Sequence, residues 1–123
     1  MKTALDSHMH LFRPGKAGDL RTLLMLHGTG GDEVSFAQLG PILAPGAAVV
    51  SVRGNVDEHG ICRFLRRVAE GVYDMADLAF RTRALEDFVG AVSQKYKINQ
   101  DHLIGVGYSN GANILANLLT SYP

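Results

Sequence analysis

LIGVGYSNGANILANLL, residues 103–119, is the stretch that decides the fold. Its apolar start predicts a buried parallel strand, and its end, from Ala112 onward, places apolar residues at helical spacing. The G-x-S-x-G turn between them, at 107–111, is typical of a serine that a sharp strand-to-helix turn lifts above a sheet, where side chains larger than glycine's would clash. The helix that follows points free backbone N–H groups at the turn, which suits a developing oxyanion. Ser109 is therefore the candidate nucleophile.

Two other interpretations of this turn have to be weighed, because G-x-S-x-G occurs often by chance. One is a glycine-rich strand-to-helix turn in which the serine has no role. The other is a dinucleotide-binding loop built on Gly105, Gly107 and Gly111. The G-x-G-x-x-G spacing puts Asn110 where the third glycine belongs, and the acidic ribose partner, expected about 20 residues later, would lie beyond Pro123. The spacing therefore favours the nucleophile turn.

The composition is that of one globular domain covering residues 1–123. Hydrophobic residues make up 46% of the chain, and its twelve basic and twelve acidic side chains leave no basic surplus for nucleic acid. No run approaches the roughly 18 apolar residues of a membrane span, and residues 1–10 lack the apolar core of a signal peptide. We therefore expect a cytoplasmic protein without membrane partners. The single Cys62 cannot form an internal disulfide and is expected to be a small, partly buried side chain.

Near the start of the chain, Asp6, His8 and His10 alternate. On a strand this spacing would place all three side chains on one face, as in the H-x-H metal pairs of some hydrolases. The usual further ligands are not evident nearby, so we expect no metal site. We interpret the segment as the polar face of an edge strand that is ended by residues 13–15.

A second glycine-rich loop follows the apolar strand predicted at 21–26. This loop reads HGTGGDE at 27–33, and its glycines let the backbone approach a ligand, while Asp32 can cap the next helix. A phosphate-binding loop would need a Lys followed by Ser or Thr, which is absent here. We expect the backbone N–H of Thr29 to be one oxyanion donor and that of Asn110 the other, although a flexible turn would have a similar composition.

The remaining elements predict a parallel α/β fold. The helix from about Asp32 is predicted to be disturbed at Gly40-Pro41 and to end near Leu43, and residues 47–52 are predicted to form a third buried strand. We interpret the long polar segment 53–74 as a lid or pocket wall over the serine; a solvated excursion with a short helix at 62–68 is the alternative. A helix at 75–96 then returns the chain to the nucleophile strand. Alternating strands and helices imply right-handed crossovers, a parallel sheet and a site above the carboxyl ends of its strands.

Four stretches of the chain share a resemblance to one known family. They are HGTGGDE at 27–33, SVRGN at 51–55, GVYDMADL at 71–78 and GYSNGAN at 107–113. Together they resemble the α/β-hydrolase fold. Within it they look most similar to the phospholipase/carboxylesterase and dienelactone-hydrolase-like group of small cytoplasmic serine esterases. The resemblance extends from about Arg21 to Pro123.

Carried over by position, the resemblance implies that Ser109 is the nucleophile and that Thr29 and Asn110 provide the oxyanion hole. It also implies that the segment from Arg53 to Tyr73 borders a substrate pocket. The pocket residues that it predicts are His27, Gly28, Gly30, Arg53, Tyr73 and Tyr108. Such esterases act on small-molecule carboxylic esters and sometimes thioesters, use neither a cofactor nor a metal, and often form homodimers.

One departure from the family concerns the catalytic triad, which in this fold runs Ser, then Asp or Glu, then His. The fourteen residues after Ser109 contain neither an acid nor a histidine. All the histidines precede the serine; they are His8, His10, His27, His59 and His102. Of these, His27 is expected to be a structural residue of its loop. The resemblance therefore predicts a parallel-sheet α/β-hydrolase fold truncated after the nucleophile helix, whose acid and base come from a missing C-terminal half or a second chain.

We accordingly predict a serine hydrolase that cleaves carboxylic esters, with thioesters as a second substrate class, through an acyl-enzyme on Ser109. Without acid and base, this chain alone should be nearly inactive. The alternative is a catalytically silent module that binds a small molecule or assembles with a partner on the same fold. A nucleotide-dependent oxidoreductase is a third hypothesis.

Overall fold

The computed structural model describes residues 4–58, 60–65, 67–69, 72–73 and 75–121. Its strands are β1 (His10–Arg13), β2 (Thr22–Leu26), β3 (Ala48–Val52), β4 (Val56–Glu58), β5 (Ile61–Arg63), β6 (Arg67–Ala69), β7 (Val72–Tyr73) and β8 (Leu103–Gly107). Its helices are α1 (Glu33–Ala37), α2 (Gly40–Leu43), α3 (Met75–Lys95) and α4 (Asn110–Ser121), with short 3-10 helices at Ala4–Ser7 and Gln100–His102. None of the helices within these ranges is long and apolar enough to cross a membrane.

A four-stranded sheet with the order β1-β3-β2-β8 positions every other element. Strands β3, β2 and β8 are parallel, with Leu24 of β2 opposite Val50 on one side and Gly105 on the other. Strand β1 runs antiparallel to β3 and forms one edge. The three predicted parallel strands and the α/β fold class are thus confirmed, and the sheet as a whole is mixed.

Strand β8 forms the other edge of this sheet, which corrects one expectation. Ile104 is 45% exposed and Gly105 is also exposed, so the strand predicted to be buried is partly open. The burial of a strand depends on neighbours on both of its sides. No strand of the described residues lies beyond β8.

Strand β2 is buried on both faces because it lies between two apolar layers. Successive side chains of a strand point to opposite faces. Leu24 belongs to a cluster that includes Phe88 of α3 and Ile114 of α4, whereas Leu23 belongs to one that includes Ala37 of α1. The side of α3 that packs on the sheet is apolar: Leu85, Phe88 and Val92 are buried in the same cluster as Leu24.

Two segments after β2 differ from the predictions. The helix predicted from about Asp32 to near Leu43 is two helices, α1 and α2; the break lies at the predicted disturbance, because Pro41 has no N–H with which to continue a helix. The segment 53–74 contains two antiparallel hairpins, β4 with β5 and β6 with β7. The alternative with a helix at 62–68 is therefore wrong. A turn at Gly60, whose φ is +83°, instead reverses the chain between β4 and β5.

The first described residues do not form one strand, so Asp6, His8 and His10 do not share a strand face. Asp6 lies in a 3-10 helix, and β1 begins only at His10. The rings of His8 and Phe88 are 5.1 Å apart, and Nε2 of His10 lies 2.9 Å from the hydroxyl of Tyr96. This segment packs on α3, and no group of three or more His, Cys, Asp or Glu side chains in the described ranges could hold a metal ion.

Candidate active site

The turn that holds Ser109 is strained, as its sequence pattern predicts. Ser109 has a φ of +53°, in the left-handed region that costs non-glycine residues energy. A Cβ on Gly107 would lie 2.7 Å from the Cα of Ala112, and a Cβ on Gly111 would lie 2.1 Å from the carbonyl oxygen of Leu26. Both glycines are therefore required, because the turn presses against its own helix and against the end of β2.

The side chain of Ser109 is exposed and makes no hydrogen bond to the part of the chain that the structure describes. Its carbonyl accepts a hydrogen bond of 3.0 Å from the N–H of Asn113, so Ser109 lies at the N-terminus of α4. The partial positive charge of that terminus favours an anion beside the serine oxygen. This arrangement fits a nucleophile whose attack generates an oxyanion.

The glycine-rich loop after β2 lies directly beside this turn. The N–H of Tyr108 donates to the carbonyl of Leu26 at 3.2 Å, and a Cβ on Gly28 would lie 2.9 Å from Cδ1 of Tyr108. Gly30 has a φ of +81°, and Thr29 is exposed. The structure thus brings together the two loops that the sequence analysis selected.

Two backbone N–H groups at this junction, those of Thr29 and Asn110, are the predicted oxyanion donors. Neither the N–H of Thr29 nor that of Asn110 donates to another residue within the described ranges. By contrast, the N–H of Gly30 donates to the carbonyl of Cys62 at 3.1 Å. The assignment of the Thr29 and Asn110 N–H groups as oxyanion donors is compatible with this geometry and stays a prediction.

His27 is held as a structural residue beneath its loop. The ring is 1% exposed, and its Nε2 accepts a hydrogen bond of 2.9 Å from the N–H of Gly54. Nδ1 must then carry the proton, and it donates to the carbonyl of Gly28 at 2.6 Å. Both ring nitrogens are engaged, so His27 is not placed to deprotonate Ser109, and a contact between His27 and substrate stays a prediction.

Arg53 connects the end of β3 to the start of α1. Its Nε and Nη2 donate to Oε1 of Glu33 at 3.0 and 2.9 Å, and its N–H donates to the carbonyl of Met9. The hydrogen bond that Arg53 donates to the Glu33 carboxylate, and then the negative charge of that carboxylate, raise the pKa of the Arg53 guanidinium. Glu33 offsets the positive charge of Arg53, so the pair links the end of β3 to the start of α1. The place of Arg53 in a substrate pocket stays a prediction.

The cap of α1 confirms another prediction. Oδ1 of Asp32 accepts hydrogen bonds from the backbone N–H groups of Val34 and Ser35 at 3.0 and 2.8 Å. The N–H and hydroxyl of Ser35 lower the pKa of the Asp32 carboxyl. Asp32 therefore fixes the start of α1, where the glycine-rich loop ends.

Tyr108 and Tyr73 are the remaining predicted pocket residues. Tyr108 is 67% exposed next to the serine. The backbone of Tyr73 lies in β7, but its side chain lies outside the described part of the structure. Arg63, which was not among the predicted site residues, places Nη1 3.5 Å from the hydroxyl oxygen of Thr29. Its position in a charged, loop-rich segment was the only signal for it.

The side chain of Asn110 has a role that was not predicted from the sequence. Oδ1 accepts hydrogen bonds from the N–H groups of Phe64 and Leu65 at 2.7 and 3.1 Å, and Nδ2 lies 3.4 Å from the carbonyl of Leu65. Asn110 is 2% exposed. A polar residue directly after the serine, on the buried side of α4, was the signal that could have indicated it.

Comparison with known proteins agrees with this geometry. The chain is 45% identical over 113 residues to a Bacillus subtilis (strain 168) protein named "Putative hydrolase MhqD", and the match covers 92% of this chain and 56% of that protein. It superposes on the Bacillus cereus carboxylesterase with a TM-score of 0.87 at 47% identity, covering 91% of this chain and 53% of the other. It superposes on the structure of YahD with malic acid with a TM-score of 0.85 at 32% identity, covering 91% and 56%.

These relatives confirm the resemblance to the α/β-hydrolase fold. The two Bacillus proteins among them are named as a hydrolase and a carboxylesterase. The chain spans just over half the length of each of these three proteins. No protein-family model matches it. The narrower phospholipase/carboxylesterase or dienelactone-hydrolase-like assignment stays a prediction.

Proposed function

For a chain that has the α/β-hydrolase fold of carboxylesterases, we propose that it carries the nucleophile of a serine hydrolase that cleaves small-molecule carboxylic esters. The observation that carries this proposal is the left-handed backbone of Ser109, with φ of +53°, at the N-terminus of α4. Strain of this kind persists where the surrounding structure imposes it, and it clusters at active sites. The hydrolase and carboxylesterase names of the relatives support the same reaction class.

The proposed reaction is acyl transfer in two steps. The hydroxyl oxygen of Ser109 attacks the ester carbonyl as a base takes its proton, and the carbonyl oxygen becomes an oxyanion held by the N–H groups of Thr29 and Asn110. The carbon–oxygen bond to the leaving alcohol then breaks, and the alcohol takes a proton from the base. Water repeats the sequence on the acyl-enzyme and releases the carboxylic acid. Thioesters are a second substrate class for the same chemistry.

The base and its orienting acid are proposed to come from outside this chain. Within the described ranges no histidine makes a hydrogen bond to Ser109, and His27 uses both ring nitrogens elsewhere. We propose that a further segment of the protein or a second chain supplies the histidine and the carboxylate. No cofactor or metal is required by the mechanism. Homodimer formation and a cytoplasmic location stay predictions.

A catalytically silent binding module is the second candidate. The solved structure of YahD with malic acid, a small carboxylic acid, favours it. Arg63 beside Thr29 could offer such an acid a positive charge. In this alternative the surface between the nucleophile turn and the glycine-rich loop binds a small acid without turnover.

Ester hydrolysis by the full-length protein tests the proposal. We expect hydrolysis of p-nitrophenyl acetate that Ser109→Ala reduces by roughly 10⁴-fold or more. Ser93→Ala is the matched control and should retain the activity; the hydroxyl of Ser93, on α3, accepts a hydrogen bond from Nε2 of Gln100. Binding of a small carboxylic acid without hydrolysis, unaffected by Ser109→Ala, would instead establish the silent module.

A further inference from the structure

We propose that Asn110 is a positioning residue whose side chain fastens the segment 53–74 to the nucleophile turn and thereby holds Ser109 in its reactive conformation. The inference deepens the proposed function, because it concerns the same serine. It concerns the side chain of Asn110, whereas the oxyanion assignment concerns only its backbone N–H.

The contacts of the Asn110 amide satisfy two consecutive buried peptides. Oδ1 accepts from Phe64 and from Leu65 at 2.7 and 3.1 Å, and Nδ2 lies 3.4 Å from the Leu65 carbonyl. Phe64 and Leu65 are each 1% exposed, so water cannot replace Asn110 as the acceptor without an opening of the structure. A planar amide with one acceptor and one donor end suits this pair of peptides.

Two further hydrogen bonds hold the same segment against the site. The Gly54 N–H donates to Nε2 of His27, and the Cys62 carbonyl accepts from Gly30. A Cβ on Gly54 would clash with the backbone carbonyl of Arg63, so the start of the segment packs directly against residue 63. Within the described residues, three sets of hydrogen bonds therefore fix the segment, and of these the Asn110 contacts are the ones that join it to the nucleophile turn.

Loss of the Asn110 amide should act on the serine through this connection. Asn110 directly follows Ser109, and its side chain is immobilised between two buried peptides. Removing the amide leaves two buried N–H groups without their acceptor and frees the turn to relax from the strained φ of Ser109. The expected result is a local opening at 64–65 together with a less reactive serine, while the sheet remains folded.

The test compares Asn110→Ala with Asn117→Ala in the full-length protein. Asn117 lies on the same helix but donates to Thr82, so it controls for loss of an asparagine from α4. Amide hydrogen exchange at Phe64 and Leu65 should accelerate about tenfold or more in Asn110→Ala, with Gly54 unchanged. The kcat for a Ser109-dependent ester should fall about tenfold or more with a smaller change in KM, whereas Asn117→Ala should change neither readout.

A third variant separates the amide contacts from general loss of stability. Asn110→Asp keeps two acceptor oxygens for the Phe64 and Leu65 N–H groups, so it should restore their slow exchange. Unchanged exchange at both amides in Asn110→Ala would overturn the proposal, as would fast exchange with an unchanged kcat. If Asn110→Ala unfolds globally, fast exchange at these two amides in folded Asn110→Asp would also overturn it. If the unmodified protein hydrolyses no ester, the proposed function fails, whereas slow exchange lost only at Phe64 and Leu65 would still establish the Asn110 contacts.

Discussion

Replacing His8 with Asn should remove a pH dependence of the free energy of unfolding that arises because this histidine is buried. His8 is 4% exposed and packs on Phe88 of α3. Burial, the positive charge of Arg81 and then that of His10 lower the pKa of His8 from 6.5 to about 4. The imidazole is therefore neutral in the folded protein, and it donates from Nδ1 to the hydroxyl oxygen of Ser7, whose own proton goes to the Ala4 carbonyl.

The magnitude follows from the difference between the folded and unfolded pKa values. As pH falls below about 6.5, His8 becomes protonated in the unfolded chain, whereas in the folded chain it stays neutral until about pH 4. The free energy of unfolding therefore decreases across this window. At about 1.36 kcal/mol for each unit of pKa, the full loss is about 3 kcal/mol. Between about pH 7 and about pH 5 the same relation gives a loss of about 2 kcal/mol.

Urea unfolding of the full-length protein and of His8→Asn, each at pH values across this window, measures the effect. The Asn side chain can donate an amide N–H from near the position of Nδ1 but does not titrate. The free energy of unfolding of the unmodified protein should fall by about 2 kcal/mol more than that of the variant between about pH 7 and about pH 5. Parallel pH curves for the two proteins would refute the assignment of a buried neutral imidazole.

The remaining predictions concern the nucleophile turn and the helix packing. Gly111→Ala should lower the free energy of unfolding by at least about 1–3 kcal/mol, because its Cβ would lie 2.1 Å from the Leu26 carbonyl, and urea unfolding measures it. Gly90→Ala is the matched control: its Cβ would meet no atom within 4 Å, so it should stabilise α3 by about 0.5–1 kcal/mol in the same assay. Thr82→Val should cost about 1–2 kcal/mol, because it removes the acceptor of the 2.7 Å hydrogen bond from Asn117; the cost should largely disappear in Asn117→Ala, which a double-mutant cycle tests.

The local features of the nucleophile turn could be predicted from sequence because they depend on residues next to one another. The strand, the turn with its two required glycines, the helix after Ser109 and the cap at Asp32 all follow from short patterns. The structural role of His27 was also expected, and its two hydrogen bonds confirm it. Each of these features depends on residues that lie close together in the sequence.

The features that sequence reasoning missed depend on distant partners. The hydrogen bonds of Asn110 join residues 45 and 46 positions apart, and nothing in the local pattern around either partner specifies the other. The hairpins of 53–74 have short strands with mixed polarity, so charge and length alone could not distinguish them from a helix. The exposure of Ile104 likewise follows from the position of β8 at a sheet edge, and an apolar run of residues does not encode that position.

Covalent labelling of the full-length protein with a fluorophosphonate, followed by mass spectrometry of its peptides, tests the central claim most directly. A serine activated for acyl transfer forms a stable phosphonyl adduct, whereas an ordinary exposed serine does not. We expect one adduct, on Ser109, that is absent in Ser109→Ala and unchanged in Ser93→Ala. Ester hydrolysis that persists in Ser109→Ala, or an adduct on a different residue, would contradict it.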